Sequence, residues 1–250
     1  MKKSTDWLEY DWPFEGSAAL YEADMSLDGS PRPEMGVCVE VSCLTRDVKR
    51  TELNSREKRH ADQLLERIAK LDTVFCGVVS TNAMVMGVYY VCLANHIEPI
   101  KELCDHEKVV IASVAYKEDG DYSTYYKLLF PDEAKLWTIE NGKRIEFYQK
   151  LGDSLSPARK LTFNVYFPTE QLMLLFSEQA RLSGFALGDR VYQPEQELSH
   201  GVRLHRIGTL IKPEIDQCTT RIVRIAKRCE GELMYWEAPV TRSGSPLRRK

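Results

Sequence analysis

The chain has 250 residues, a formal net charge of −3 at pH 7, 43% hydrophobic residues and 28% charged residues. These values are typical of a globular protein and exclude an intrinsically disordered chain. The longest apolar run, residues 83–94, is shorter than the ~20 residues that a membrane-spanning helix needs. The seven cysteines follow an amino terminus without an apolar leader, so we expect reduced thiols in a cytoplasmic protein.

The charge is divided unevenly along the chain. Residues 1–156 contain 19 Lys+Arg against 27 Asp+Glu, a charge of −8, whereas residues 157–250 contain 15 against 10, a charge of +5. Four of the latter basic residues lie in the segment 241–250, which we expect to be a flexible tail. The positive charge of this half therefore does not by itself predict nucleic-acid binding.

The first half of the chain predicts a βαββαβ domain with one extra strand in front. The extra strand is predicted at 18–27, and residues 37–43 alternate between apolar and polar as in a half-buried strand. Asn54 and Glu57 form a capping-box pattern at the start of a helix. Strands at 73–80 and 84–93, a helix at 96–104 and a strand at 109–116 follow.

A long helix is predicted at 131–151, after the last of these strands. It carries apolar residues on more than one side, which is typical of a helix packed between two bodies. We assign it to an amino-terminal domain of residues 1–152 and expect it to join that domain to the next one.

The second half repeats the element order without repeating the sequence. Strands are predicted at 160–167, 185–193, 202–210 and 231–240, and helices at 169–182 and 213–229. The sequence therefore predicts an α+β protein with two ferredoxin-like βαββαβ sandwich domains, the second at 157–240. Each open sheet face would offer a surface for a homo-oligomer.

Motifs of the best-marked enzyme classes are absent from the sequence. There is no nucleophile elbow, phosphate-binding loop, dinucleotide-binding loop or zinc-protease helix. His96, Cys104 and His106 lack an evident fourth ligand for zinc, so we expect no metal and no cofactor. Two groups of carboxylates are expected in solvated loops rather than in a site: Glu9, Asp11 and Glu15, and Glu118, Asp119 and Asp121.

Nucleic-acid binding is the more specific alternative to a solvent-exposed surface that binds nothing. An open sheet face can stack bases on aromatic side chains, and Tyr166 and Tyr235 lie on the less apolar faces of two predicted neighbouring strands. The candidate surface also includes Arg203 and His205 on the middle strand and Arg221, Arg224 and Arg228 on one side of a helix. The same arginines are also expected on a helix face that is exposed to solvent and binds nothing.

The second domain resembles the regulator of ribonuclease E activity B (RraB-like) family. The resemblance is carried by TFNVYFP, a helix that ends in RLSGF, the strand GVRLHRIG and the ending CEGELMYWEAPV. Gly231, Trp236 and Glu237 match the family ending Gly-Gly-x-Tyr-Asp-Gly-Trp-Glu, whereas Leu233, Met234 and Tyr235 replace its Tyr-Asp-Gly. The first domain, with EADMSLDGSPRPEMGVCVEVSC near its start, is similar to the bacterial domain of unknown function 695 family.

The resemblance implies a ferredoxin-like regulatory protein, not an enzyme, that binds an endoribonuclease or RNA-processing complex and needs no cofactor. Direct RNA binding on the open sheet face is the first alternative, and an enzyme with an unmarked site between the domains is the second. In the last strand, alternation predicts Met234, Trp236 and Ala238 on the core face and Tyr235 on the outward face.

Overall fold

The structure is a computed structural model that describes residues 6–29, 32, 34–92 and 94–242. The chain divides into two compact units, Met1–Pro131 and Asp132–Lys250. Both contain helices and antiparallel strands, which confirms the α+β class. Of the tail predicted at 241–250, residues 243–250 lie outside the described residues.

The first unit is a six-stranded antiparallel sheet with two helices. Its strands are β1 (Trp7–Asp11), β2 (Leu20–Asp24), β3 (Val37–Thr45), β4 (Val74–Ser80), β5 (Met84–Val91) and β6 (Val110–Glu118), and its helices are α1 (Ser55–Ile68) and α2 (Glu98–Asp105). The spatial order of the strands is β1-β2-β4-β5-β3-β6. The βαββαβ order predicted for this part is present, and β1 is an additional edge strand that the sequence did not predict.

The predicted capping box starts α1. The Asn54 side chain accepts hydrogen bonds from the amides of Arg56 and Glu57, and the Glu57 carboxylate accepts one from the Asn54 amide. Arg50 donates two further hydrogen bonds to Glu57. The helix then packs Ala61, Leu64, Leu65 and Ile68 against Val39, Val41 and Cys43 of β3.

The chain that follows β6 covers the second face of this sheet at β1, β2, β4 and β5, whereas Leu44 of β3 and Ile111 of β6 are exposed on that face. The Tyr122 ring stacks on the Tyr90 ring with the centroids 3.8 Å apart. The hydroxyl of Tyr10 donates to the carbonyl of Leu129, and that of Tyr125 donates to the carbonyl of Asp24. Residues on both faces of β5 are therefore buried, and so is Cys38 of β3, which lies on the face that the alternation of residues 37–43 predicts to be polar.

Asp119 is the polar centre of this returning segment. Its carboxylate accepts hydrogen bonds from the Tyr90 hydroxyl at 2.6 Å, from the Ser123 hydroxyl at 2.6 Å and from the Thr124 amide at 2.8 Å. Burial opposes its ionisation, but these hydrogen bonds outweigh burial and hold the pKa of the Asp119 carboxyl well below its ordinary value. The prediction of a solvated loop was wrong at Asp119, which is only 5% exposed.

The second unit is a four-stranded antiparallel sheet with three helices. It contains α3 (Glu133–Lys150), β7 (Arg159–Phe167), α4 (Glu170–Leu182), β8 (Ala186–Tyr192), β9 (His200–Gly208), α5 (Lys212–Arg228) and β10 (Glu232–Glu237). The strand order is β10-β7-β9-β8. The long helix that we assigned to the amino-terminal domain lies in this unit, where α3 packs against α5.

The core of the second unit lies between the sheet and its helices. Leu161, Phe163, Val165 and Phe167 alternate along β7 and are fully buried. Phe167 contacts Phe176 of α4 with the ring centroids 4.8 Å apart. The apolar face of α5, with Ile215, Cys218, Ile222 and Ala226, is buried as its spacing predicted. The other face of the sheet is free of helices in the described part of this unit.

We predict that Asp119→Asn lowers the stability of the chain, because it removes the charge from an acceptor of several buried hydrogen bonds. Hydrogen bonds to a charged group contribute about 1.5–3 kcal/mol each, so we expect a loss of at least ~2 kcal/mol in the free energy of unfolding at pH 7. The folded pKa lies below the unfolded value of about 3.9, so this contribution is present above pH ~4 and is lost as the pH falls below that value.

Urea unfolding followed by circular dichroism between pH 7 and pH 2.5 measures both effects. The difference between the wild-type protein and Asp119→Asn should shrink as the pH falls. Asp121→Asn, a change in an exposed residue two positions away, is the control and should stay within about 0.5 kcal/mol of wild type. A constant difference across this pH range would show that the carboxylate charge does not stabilise the fold.

Candidate functional site

The open face of the second unit brings together four of the residues predicted from the sequence. Because Leu161, Phe163, Val165 and Phe167 of β7 point to the helices, Tyr166 points to the opposite face. Strand β10 pairs with β7 and places Tyr235 beside Asn164. Strand β9 pairs with the other edge of β7, with Arg203 opposite Asn164 and His205 opposite Thr162. We call Tyr166, Arg203, His205 and Tyr235 the sheet-face set.

A β-bulge in β10 decides which side chains reach this face. The pairing with β7 shifts between Leu233 and Tyr235, so Met234 has no partner of its own. As a result Leu233 and Trp236 are both buried, whereas Met234 is 51% exposed and Tyr235 is 37% exposed. The prediction that Met234 shares the core face with Trp236 was wrong, because strict alternation does not continue through a bulge.

The two basic members of the sheet-face set have different surroundings. A guanidinium nitrogen of Arg203 lies 3.4 Å from a carboxylate oxygen of Asp189, and both side chains are exposed. The His205 ring lies 3.3 Å from the Thr162 hydroxyl. Burial, with the nearby charges of Lys160 and Arg203, lowers the pKa of His205 below its ordinary value. The lowered pKa favours the neutral imidazole, and Lys160 and Arg203 supply positive charge on this face.

Glycines on neighbouring strands make room for two of these rings. A Cβ on Gly201 would lie 2.7 Å from the Tyr166 ring, and a Cβ on Gly188 would overlap the His205 ring. Both rings therefore lie across the backbone of a neighbouring strand, and any larger residue there would displace them.

Asn164 lies at the centre of this face, between the residues predicted from the sequence. It is only 1% exposed, and its side-chain Nδ2 has no hydrogen-bond partner among the described residues. A buried amide without a protein partner is uncommon, and an ordered water or a bound group can satisfy it. The sequence does contain one indication of this position, because Asn164 is an amide within the otherwise apolar and aromatic run TFNVYF.

The three predicted arginines lie on the opposite side of the unit. Arg221, Arg224 and Arg228 are exposed on α5, whose buried side packs on the sheet. Arg221 donates a hydrogen bond of 3.2 Å to the carbonyl of Ser183, just after α4. The residues predicted as one candidate surface therefore form two, the sheet-face set and an arginine strip of Arg221, Arg224 and Arg228.

The residues of the matching family ending are mainly structural. Trp236 is 1% exposed, and its ring stacks on that of Tyr148 with the centroids 5.9 Å apart. Gly231 lies so close to β7 that a Cβ there would overlap the Phe167 ring. Glu237, the third matching residue, is exposed at the end of β10 beside Thr162.

The Trp236 indole makes a hydrogen bond that the sequence did not reveal. Its Nε1 donates to Oδ1 of Asn141 in α3 at 2.7 Å. The Nδ2 of Asn141 donates to Asp216 and to Thr219 of α5, both at 2.8 Å. Asn141 is fully buried, and its side chain links α3 to α5 and to β10 by satisfying polar groups of both.

The other candidates for chemistry do not assemble into a site. Cys104 lies in the core of the first unit, and His106 is exposed and bonded to the Glu102 carbonyl. Among the described residues, no group of three or more His, Cys, Asp and Glu side chains could hold a metal ion. All seven cysteines are free thiols, and burial raises the pKa of Cys38 to about 11 and of Cys43 to about 12, which suppresses the reactive thiolate.

Comparison with protein families finds one match in the second unit. Residues 138–238 match the family model described as regulator of ribonuclease activity B. This part of the chain is similar to that family. The match starts within α3 and ends after β10, so it contains both Asn141 and Trp236. It does not reach the first unit, where the similarity to domain of unknown function 695 stays a prediction.

The remaining comparisons add no functional argument. No curated protein matches the chain. A crystal structure of an unknown protein from Galdieria sulphuraria is 10% identical, with 82% of this chain and 99% of that chain covered, at a TM-score of 0.23, from which we conclude nothing. Among the described residues, no helix has the length and apolar character needed to cross a membrane.

We predict that the Trp236–Asn141 hydrogen bond stabilises the second unit beyond the packing of the indole. Trp236→Ala should cost about 3–5 kcal/mol in the free energy of unfolding, as for other buried aromatic residues. Trp236→Phe keeps much of the volume but leaves Oδ1 of Asn141 without its donor, and should cost at least ~1–3 kcal/mol.

Urea unfolding of both variants measures these costs. Tyr235→Ala changes the exposed neighbour and serves as the control, with an expected effect within about 0.5 kcal/mol. If Trp236→Phe unfolds at the wild-type urea concentration, the hydrogen bond contributes nothing to stability and the indole acts only by packing.

Proposed function

We propose that this chain is a cytoplasmic, non-catalytic regulator that binds an endoribonuclease through its second unit and lowers its activity. The observation that carries the proposal is the match of residues 138–238 to the regulator of ribonuclease activity B family. The matched segment includes α3 from residue 138 onward and every strand of the four-stranded sheet, so it corresponds to a folded unit and not to an isolated motif. The first unit has no assigned role in this proposal.

The topology of the two units agrees with this proposal. Strands β10-β7-β9-β8 of the second unit have the order of the ferredoxin-like fold, and β6-β3-β5-β4 of the first unit have the same order. We therefore propose that both units are ferredoxin-like, with β1 and β2 added beside β4 in the first. A fold alone does not establish a function, so the partner has to be tested directly.

The test is binding and inhibition of ribonuclease E from the organism that encodes the chain. We expect the full-length protein to bind the immobilised enzyme and to slow cleavage of a fluorogenic single-stranded RNA in proportion to the enzyme occupied. Bovine pancreatic ribonuclease is the control enzyme and should keep its rate. If ribonuclease E is neither bound nor slowed, the proposal is contradicted. If it is bound but its cleavage rate does not change, the chain binds the enzyme without regulating it.

Direct binding of single-stranded RNA is a second candidate function. It is favoured by the placement of Tyr166, Tyr235 and Arg203 on one exposed sheet face, with Lys160 beside them. Aromatic side chains on such a face stack on bases, and a basic group holds the phosphates. The acidic residues Glu232 and Glu237 on β10 lie on the same face and limit its positive charge.

Fluorescence anisotropy with a labelled dodecauridylate separates this function from the first. Stacking contributes about 1–3 kcal/mol per base, so Tyr166→Ala with Tyr235→Ala should weaken RNA binding at least ~10-fold. Tyr116→Ala with Tyr192→Ala removes two other exposed tyrosines and should leave affinity unchanged. Equal affinity of both double variants would show that the sheet face does not bind RNA.

A further inference from the structure

The arginine strip on α5 has a regular geometry. Arg221, Arg224 and Arg228 follow one another at spacings of three and four residues, which places them on one side of an α-helix. With a rise of about 1.5 Å per residue, the strip is about 10 Å long. Its guanidinium groups point away from the buried side of α5, which packs on the sheet.

The positive charges of this strip are not neutralised by ion pairs within the described part of the protein. None of the ion pairs among the described residues includes Arg221, Arg224 or Arg228. The single side-chain hydrogen bond recorded for the three is the one from Arg221 to the Ser183 carbonyl, which orients Arg221 without neutralising it. Because the chain as a whole has a net charge of −3, the strip is a local positive region on an acidic protein.

Apolar side chains lie beside the strip on α4. Helices α4 and α5 contact each other on the same side of the sheet, so their outward sides form one surface. On this surface Leu182 is 83% exposed and Leu175 is 49% exposed, one helical repeat of seven residues apart. Glu178 lies between them and is exposed, so the three arginines still leave the surface with an excess of positive charge.

The chemistry of this surface favours a protein over a nucleic acid. A surface that binds single-stranded RNA uses exposed aromatic rings for base stacking, whereas α5 has no aromatic residue and the one aromatic residue of α4, Phe176, is fully buried. Exposed leucines beside arginines match a partner with apolar and acidic side chains. Arginine binds carboxylates in a bidentate geometry, which gives such contacts direction as well as strength.

We propose that the arginine strip, with Leu175 and Leu182, docks an acidic amphipathic helix of a protein partner. Carboxylates spaced three and four residues apart on that helix match the spacing of Arg221, Arg224 and Arg228, and its apolar side contacts the two leucines. The inference rests on the proposed function, since it names the surface and the partner chemistry through which the second unit binds the ribonuclease. The sheet-face set takes no part in this contact.

The test is charge reversal on the full-length protein. The variant Arg221→Glu/Arg224→Glu/Arg228→Glu should bind immobilised ribonuclease E at least tenfold more weakly than wild type. The matched control is Arg56→Glu/Arg59→Glu/Arg67→Glu, which reverses three exposed arginines on α1 and changes the net charge equally. The control should change affinity less than twofold. Salt should weaken binding of wild type and control but have little effect on what remains in the strip variant.

A second probe makes the outcome independent of the ribonuclease. It is an 18-residue designed helix with glutamates at positions i, i+3 and i+7 and leucines on the adjoining side, measured by fluorescence anisotropy, with a peptide of lysines at the same positions as its control. We expect wild type to bind the acidic peptide and the strip variant to lose it. Circular dichroism melting confirms that each variant is folded.

The outcomes separate the inference from the proposed function. Ribonuclease binding that the strip variant retains overturns the inference and leaves the proposed function standing. If no form binds the ribonuclease, the proposed function fails, and the acidic peptide alone then supports or overturns the strip as a docking site. Loss of dodecauridylate binding, or of self-association in sedimentation, with unchanged peptide binding would assign the strip to RNA or to a second copy and overturn the inference.

Discussion

The second unit depends on the buried carboxamide of Asn141. An indole in a core needs an acceptor for its N–H, and Asn141 supplies that acceptor to Trp236 while donating to Asp216 and Thr219. The three elements that meet there, α3, α5 and β10, come from separate parts of the chain. The family match from 138 to 238 contains all of these groups, so the bond lies within the part of the chain that is similar to ribonuclease regulators.

The bulge in β10 gives the sheet of the second unit two different sides. It turns Trp236 and Leu233 toward the helices and leaves Tyr235 beside Asn164 on the open face. The arginine strip lies on the helix side instead. The unit thus carries an aromatic and amide-bearing face and a separate basic face. This separation is what allows one face to be altered without the other.

The first unit uses the same central strand order but covers part of the second face of its sheet as well. Helices α1 and α2 cover one face, and the segment that ends the unit returns across the other, where Asp119 and Tyr90 form its polar centre. Burial on both sides explains why β5 is apolar almost throughout, whereas strands of the second unit alternate. Among the described residues, the first unit leaves its second sheet face exposed at β3 and β6, around Leu44 and Ile111, whereas the second unit has no helix on one whole face of its sheet.

The sequence predicted the features that depend on local periodicity. It predicted the α+β class, the Asn54–Glu57 capping box, the buried face of α5, the exposure of its arginines and the burial of Trp236, because each follows from spacings within one element. Four features follow from the folded chain instead: the edge strand β1, the unit that contains α3, the bulge at Met234, and the partners of Asn141 and Asp119. These features rest on contacts between distant parts of the chain, such as the 95 residues between Asn141 and Trp236, and periodicity within one element does not report them.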